Sequence, residues 1–168
     1  MKLILKFAAV IFFILLLAAF YFPEMNDRYQ TKRIAKDVLN HLVAQEFDQA
    51  FEGIHYYDRA TDLEATITYK EAQNIWVKRL KELKEDGTYI VGYDGLRVKL
   101  DDTYPEGEVD LILMENGKQT VKKNVYLWFH YSKNGWGLGN FQYYSGDHNY
   151  DQIEEWEKAL SGHIESAL

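Results

Sequence analysis

The sequence predicts an α+β domain that follows an N-terminal transmembrane helix. Residues 3–22 are apolar apart from Lys6. Apolar residues then recur at helical spacing over residues 31–86, whereas alternating and β-branched patterns with two Asn-Gly pairs dominate residues 89–146. Because the helical patterns come first and the strands follow one another, we expect helices packed on a curved, cone-like antiparallel sheet.

Composition limits the classes of partner. The 168 residues include no cysteine and carry a formal net charge of −7. The chain therefore has neither a disulfide framework nor a thiolate metal site. Nucleic acid is disfavoured because phosphate backbones attract clustered Lys and Arg side chains. Since domains typically contain about 100–150 residues, the length predicts one globular domain.

The apolar segment at residues 1–22 is predicted to be an uncleaved membrane anchor. Twenty helical residues, 3–22, span about 30 Å, the thickness of a hydrocarbon core. The alternative is a cleaved signal peptide, but the small residues that such a site needs are poorly placed before Pro23. We expect a single-pass anchor with the domain on the extracytoplasmic side of the cell membrane, then a spacer at residues 23–30.

Two helical patterns follow the spacer. The first begins at Thr31 and continues, after a bend at Glu46, into a shorter helix capped by Asp48. Its predicted buried stripe is Ile34, Ala35, Val38, Leu39, Leu42 and Val43.

The helix at residues 68–86 has the clearest signals. Thr68 and Glu71 form a capping box, and Gly87 supplies the left-handed exit. Its predicted core face is Ala72, Ile75, Trp76, Leu80 and Leu83.

Strand patterns begin at Tyr89. A bulge at Asp94-Gly95 reconciles the two halves of the first strand, and Asn116-Gly117 predicts a tight hairpin. Asn134-Gly135 predicts a second type I′ hairpin, whose register would place Trp128 opposite Phe141.

That register predicts two apolar faces on the last hairpin, each of which needs a cover. The first face is Val125, Leu127, Phe129, Tyr131, Trp136 and Leu138, and the second is Tyr126, Trp128, Phe141 and Tyr143. The helices before the sheet are expected to cover the first. A C-terminal helix within residues 147–168, with the stripe Ile153, Trp156, Leu160 and Ile164, is expected to cover part of the second. Any part of the second face left exposed is predicted to bind a protein partner or a second copy.

Within the α+β domain predicted at residues 31–146, the order of elements over residues 31–144, closing on Asn134-Gly135-Trp136-x-Leu138, resembles the nuclear transport factor 2-like, or cystatin-like, superfamily in its extracytoplasmic bacterial form. The superfamily includes isomerases, dehydratases, inactive accessory domains of cell-wall enzymes and assembly parts of secretion systems. Its enzymes use an Asp, His or Tyr inside the cone. The resemblance therefore implies four candidate polar groups of a pocket, which are Tyr57, Asp58, Tyr93 and His130. His130 shares its predicted face with Tyr126 and Trp128, which favours a position outside the pocket.

No metal or cofactor is predicted. Residues 147–151 have the oxygen spacing of a calcium loop, but Gln152 and Lys158 occupy the positions that need Gly and Glu. Capping of the last helix by Asp147 or Asn149 is the favoured interpretation of this stretch. The remaining histidines, His41, His55, His148 and His163, show no ligand spacing.

Three functions remain open. The first is a membrane-anchored extracytoplasmic accessory domain that is not an enzyme and binds a protein, a peptide or itself. The second is a small-molecule-binding protein or an isomerase-like or dehydratase-like enzyme, which needs a polar group facing an interior cavity of about 300 Å³ or more. The third is an assembly component of a secretion or conjugation system.

Overall fold

The computed structural model describes residue 11 and residues 25–59, 61, 63, 65–144 and 153–164. Helical elements precede a four-stranded antiparallel sheet of order β1-β2-β3-β4, which confirms the α+β class. The helical elements are α1 (residues 25–44), α2 (Phe47–Ala50), a 3-10 turn (Phe51–Gly53), α3 (Tyr69–Glu85) and α4 (Glu155–Leu160). The strands are β1 (Thr88–Asp101), β2 (Tyr104–Glu115), β3 (Lys118–Ser132) and β4 (Gly135–Gln142).

Within this described part of the chain, no helix is long and apolar enough to cross a membrane. The anchor predicted at residues 1–22 lies, except for residue 11, outside the described residues. The calcium-like stretch at 147–151 also lies outside them.

Helix α1 buries the stripe that its spacing predicts. Ala35, Val38, Leu39 and Leu42 are buried, with Ile34 and Val43 partly so. The helix begins earlier than residue 31, because residues 25–30 are already helical. The Thr31 hydroxyl donates a hydrogen bond to the Asp27 carbonyl, 2.7 Å away, and so lies within the helix rather than at its start.

The bend after α1 forms without the predicted cap. Gln45 adopts a φ of +61°, and Glu46 occupies the cap position of α2 without a side-chain hydrogen bond. Asp48 lies inside the first turn, so its prediction as the cap is wrong. Phe47 is buried at the first position of α2, and this burial fixes where the second helix begins.

The capping box of α3 is confirmed. The Glu71 amide donates to the Thr68 hydroxyl at 3.3 Å, and the Thr68 amide donates to the Glu71 carboxylate at 3.0 Å. Trp76 is completely buried, as predicted, whereas Ile75 is 36% exposed and its prediction as a core residue is wrong. Val77 is buried instead, because the core-facing stripe lies on the other side of Trp76.

The two Asn-Gly pairs form different turns. Both residues of Asn116-Gly117 have positive φ, at +51° and +80°, which confirms a type I′ hairpin. In the Asn134-Gly135 pair, only Gly135 has a positive φ, at +96°. Ser132 pairs with Gly135, so the two-residue loop is Lys133-Asn134, and the predicted register is wrong. A left-handed glycine after two turn residues is typical of a bulged hairpin rather than a type I′ turn.

A second irregularity lies farther along this hairpin. Phe129 pairs with Leu138 and Trp128 pairs with Asn140, so Gly139 is an extra residue in β4. The bulge reverses the side-chain alternation. Phe141 therefore points into the core and is only 2% exposed, rather than facing away from it beside Trp128 as predicted.

Bulges also bend the other strand pairs. The register of β1 on β2 shifts between Asp94 and Arg97, which confirms the predicted bulge, and shifts again between Ile90 and Gly92. A third shift lies between β2 and β3, where Asn124 has a φ of +56°. Bulges increase local strand twist, so these three sites curve the sheet around its core.

Helix α4 packs on the same side of the sheet as the other helices. Trp156, Leu160 and Ile164 are buried in the core that contains Trp76, whose indole Nε1 donates to the Leu160 carbonyl at 3.4 Å. The predicted docking of this helix on the second face is therefore wrong. The helix is also short, and Ile153 is exposed.

The buried face of α3 gives a prediction about stability. Trp76→Ala should lower the free energy of unfolding by about 3–5 kcal/mol, since it truncates a fully packed side chain. Thr68→Ala should cost about 1 kcal/mol through loss of the cap. Urea unfolding of the detergent-solubilised chain, followed by circular dichroism, measures both. The matched control is Ile75→Ala, one residue away but exposed, with an expected effect within about 0.5 kcal/mol. A cost for Ile75→Ala equal to that for Trp76→Ala would contradict the packing described.

Candidate functional site

The sheet face opposite the core presents a group of aromatic side chains. Because side chains alternate along β3, the burial of Val125 and Leu127 turns Tyr126 and Trp128 to the other side. We define the aromatic patch as Tyr126, Trp128, Gln142 and Tyr144. Trp128 is 38% exposed and Tyr144 is 50% exposed.

The side-chain amide of Gln142 holds the rings of the aromatic patch in position. The Gln142 side-chain oxygen accepts hydrogen bonds from the Trp128 indole at 2.6 Å and from the Tyr144 hydroxyl at 2.9 Å. The rings of Tyr126 and Tyr144 meet edge to face, with centroids 5.8 Å apart. The rings are thus held in position before any partner arrives, which lowers the entropy lost on binding.

Charged side chains border the aromatic patch on β2. Glu106 pairs in register with Trp128, and the next outward residue is Glu108. Glu108 forms an ion pair with Arg97 at 2.8 Å, and Glu106 lies 3.8 Å from Lys99. An apolar aromatic centre with a charged border is the usual composition of a protein-binding surface.

The structure separates two predicted surface residues from this patch. Phe141 pairs with Leu127 and lies in the core. Tyr143 turns toward α4, where its ring packs 6.3 Å from Trp156 and its amide donates to Glu157 at 2.7 Å. Only Tyr126 and Trp128 of the predicted set remain together on the outer face.

A second group of side chains lies beside β4, where the loop after the 3-10 turn pairs with that strand. We define the imidazole row as His55, Tyr57, His130 and His163. The rings of His55 and His130 are 4.2 Å apart, those of Tyr57 and His163 are 5.2 Å apart, and His55 and Tyr57 are 6.0 Å apart. Residues from three distant parts of the sequence therefore stack in one line.

The loop after the 3-10 turn positions this row. The His55 amide donates to the Leu138 carbonyl of β4 at 3.0 Å. A Cβ at Gly137 would lie 2.9 Å from His55, so the close approach needs glycine there. The Asn140 amide nitrogen donates to the Tyr57 hydroxyl at 3.1 Å, which fixes the tyrosine over the strand.

The surroundings of His55 favour its neutral form. Burial lowers the pKa of its imidazole, and the nearby His130 lowers it further, while the Leu63 carbonyl, 3.0 Å from Nε2, opposes the shift. A neutral imidazole can accept or donate a hydrogen bond without the cost of burying a charge.

The other predicted pocket groups are engaged elsewhere. Asp58 accepts hydrogen bonds from the amide and the hydroxyl of Thr66, which lower the pKa of its carboxyl. The Tyr93 hydroxyl donates to the Asn40 side chain on α1 at 2.7 Å, far from β4, and burial raises its pKa. The remaining two candidates meet in the imidazole row.

Sequence reasoning missed His55 and His163 as members of this row. His55, His130 and His163 are separated by at least 33 residues, so no local spacing relates them. The one short-range signal is the alternation His55-x-Tyr57, which places two rings on one side of an extended segment.

Between the helices and the sheet, the described residues enclose a small, mainly apolar cavity. The cavity described there has a volume of about 20 Å³, roughly the space for one water molecule. It is lined by Leu42, Phe47, Leu80, Leu83, Thr88, Tyr89, Ile90, Leu113, Trp156 and Leu160. A small-molecule site of the kind implied by the resemblance needs about 300 Å³ or more and a few polar groups.

A larger depression of about 520 Å³ lies on the surface where the bulges of adjacent strands meet. Its charged groups are already engaged, because Arg97 pairs with Glu108 and Asp110 accepts a hydrogen bond from the Asn124 amide at 2.8 Å. Across the described ranges, no three His, Asp or Glu side chains are grouped so that they could hold a metal ion.

Comparison of the chain with known protein families, with curated proteins and with solved structures finds no match. The resemblance to the nuclear transport factor 2-like superfamily therefore stays a prediction. Function has to be argued from the surfaces of this chain, because a fold alone does not specify an activity.

The lowered pKa of His55 predicts a pH dependence of stability. Near pH 7 both the folded and the unfolded forms are neutral at this group. As the pH falls through about 6.5 the unfolded chain binds the proton first, so the free energy of unfolding decreases. Urea unfolding at pH 7.5, 6.5 and 5.5 measures the decrease.

The variant His55→Gln should show a smaller decrease over the same range. His41→Gln is the matched control, because His41 lies on the exposed side of α1 and pairs with Glu46 at 2.7 Å. An unchanged pH dependence in His55→Gln would show that burial of this imidazole is not the cause.

Proposed function

We propose that the chain is a membrane-anchored, extracytoplasmic binding domain without a catalytic role. It engages a protein or peptide partner, or a second copy of itself, through the aromatic patch. The observation that carries this proposal is the position of the patch on a sheet face that none of the described helices covers. The buried apolar side chains of these four helices belong to the core on the other face.

The chemistry of the patch suits a polypeptide partner. Trp and Tyr rings supply a large contact area with little side-chain entropy to lose, and they are enriched at protein interfaces. Gln142 already satisfies the Trp128 and Tyr144 polar groups, so a partner can cover the rings without leaving buried donors unpaired.

The small interior cavity favours surface binding over the enzyme hypothesis. A cavity of about 20 Å³ has no room for a substrate. Of the candidate polar groups, Tyr57 lies in the loop beside β4, and His130 lies on β3 with its ring against His55. Asp58 and Tyr93 are bonded to neighbours. This arrangement favours a place among the inactive accessory members of the superfamily that the sequence resembles.

The membrane part of the proposal rests on residues 3–22. Their length matches a hydrocarbon core, and Phe20, Tyr21 and Phe22 suit the interface. The proposed topology places the amino terminus inside and the domain outside.

The anchor proposal predicts that the intact protein partitions with membranes and keeps its amino terminus. Mass spectrometry of protein purified from membranes should give the mass of the complete chain. A mature start between residues 19 and 26 would contradict an uncleaved anchor.

The binding proposal predicts site-specific crosslinking from the patch. A benzophenone amino acid at position 144 in the membrane-embedded chain should give one discrete adduct on irradiation. The same group at the exposed position 75 of α3 is the matched control and should not give that adduct.

The variant Trp128→Ser should remove the adduct formed from position 144, because truncating a central interface tryptophan commonly weakens binding by about 30-fold or more. Circular dichroism should show an unchanged fold, since Trp128 is partly exposed. An adduct that persists in Trp128→Ser, or that also forms from position 75, would argue against the patch as the binding surface.

A further inference from the structure

A second aromatic group lies at the end of the sheet that contacts Asp27 of α1. We define the aromatic end cluster as Tyr104, Tyr131 and Trp136. Trp136 lies at its centre, with its ring 5.4 Å from Tyr104 and 5.2 Å from Tyr131, both edge to face. Tyr131 is 62% exposed, and Tyr104 is exposed as well. The cluster is therefore ordered but open to its surroundings.

Sheet topology brings this cluster to Asp27 of α1. Asp101 pairs with Tyr104 across the β1–β2 turn, and Ser132 pairs with Gly135 across the β3–β4 turn, so both turns lie at one end of the sheet. The Trp136 indole donates to the Asp27 carboxylate at 3.0 Å.

Two further contacts fix this end. The Arg28 guanidinium donates to the Val98 carbonyl of β1 at 2.8 Å. The Tyr104 hydroxyl donates to the Phe129 carbonyl at 2.5 Å, so its ring does not turn freely. The cluster exposes ring surface, and Met25 and Tyr29 of α1 are exposed as well, on sides of the helix other than that of Asp27. An exposed apolar surface of this kind commonly marks an interaction site.

The distance from the proposed anchor is short. The five residues from 22 to 27 reach about 18 Å when extended and about 8 Å when helical. The interfacial layer of a bilayer is about 5–8 Å thick on each side of the hydrocarbon core. An anchor at residues 3–22 therefore holds Trp136 at or near the headgroups.

We propose that the aromatic end cluster rests in the headgroup layer of the membrane and orients the domain, with β3 rising away from the bilayer. This inference rests on the proposed membrane anchor. Tyr and Trp rings, apolar with one polar atom, are enriched in this layer. The charges beside the cluster are mixed, with Asp101 and Asp102 in one turn and Lys133 in the other. The contact accordingly needs no anionic lipid.

This orientation places the aromatic patch clear of the lipid. Tyr131 and Trp128 are three residues apart on β3, and Val121 is ten residues from Tyr131. At about 3.3 Å per residue, Trp128 is roughly 10 Å above the cluster and Val121 roughly 30 Å above it. The patch then faces sideways, where a membrane-bound partner or a second anchored copy can reach it.

Depth-dependent quenching tests this orientation in the full chain. Because the sequence has no cysteine, single-cysteine variants can carry one fluorophore each in phosphatidylcholine vesicles that contain a headgroup nitroxide lipid. Tyr131→Cys reports on the cluster. Val121→Cys is the matched control, on the same strand and 51% exposed. Lys133→Cys repeats the measurement with all three rings intact. Flotation of the vesicles reports separately on the anchor.

The expected result is co-flotation with several-fold stronger quenching at positions 131 and 133 than at position 121. Co-flotation with equally weak quenching at all three positions would mean that water or a second copy covers the cluster. That result overturns this inference but is consistent with the proposed anchor. Equally strong quenching at all three positions also overturns it, since the sheet would then lie flat on the bilayer. Failure to float overturns both the anchor and the orientation that rests on it.

Discussion

Gly162 lies between β4 and the loop after the 3-10 turn, and the arrangement of the surfaces depends on its contacts with both. Its amide donates to the Gly139 carbonyl at 2.6 Å, and its carbonyl accepts from the Tyr57 amide at 3.0 Å. A Cβ at Gly162 would lie 1.9 Å from the His55 carbonyl oxygen, so any side chain would push the segments apart. Three segments remote in sequence meet here, and the imidazole row and the burial of α4 both follow from their meeting.

Helix α3 also fixes the position of the C-terminal segment, through the side chain of Arg79. The Arg79 guanidinium donates to the carbonyls of Ala159, Ser161 and His163 at 3.0, 2.5 and 2.9 Å. These are carbonyls at and just beyond the end of α4, which a helix leaves without intrahelical partners. Because Arg79 satisfies them, a six-residue helix can close the core without a longer helix of its own. The cavity described between the helices and the sheet is correspondingly small, at about 20 Å³.

The features predicted correctly from the sequence are those that depend on near neighbours. The α3 capping box and the Asn116-Gly117 turn each involve residues within four positions, and the stripe of α1 repeats every turn. The features that were missed depend on distant contacts. The extra residue Gly139 in β4 accepts a bond from Gly162, more than twenty positions away, and no local pattern shows that a bulge there turns Phe141 inward. His55 and His163 were missed for the same reason, because only contacts between distant residues bring them into the imidazole row.

The two exposed aromatic groups differ in ways that separate their proposed partners. The aromatic patch lies beside Glu106 and Glu108 and has its polar atoms bonded to Gln142. Carboxylates so near the rings oppose insertion into lipid but suit a polypeptide with hydrogen-bonding groups. The aromatic end cluster instead contacts α1 at Asp27, a few residues after the apolar segment in the sequence. Since one strand, β3, contributes to both groups, a membrane contact at its end would set the height and direction of the patch. The proposed anchor and the proposed partner surface would therefore be linked through a single strand.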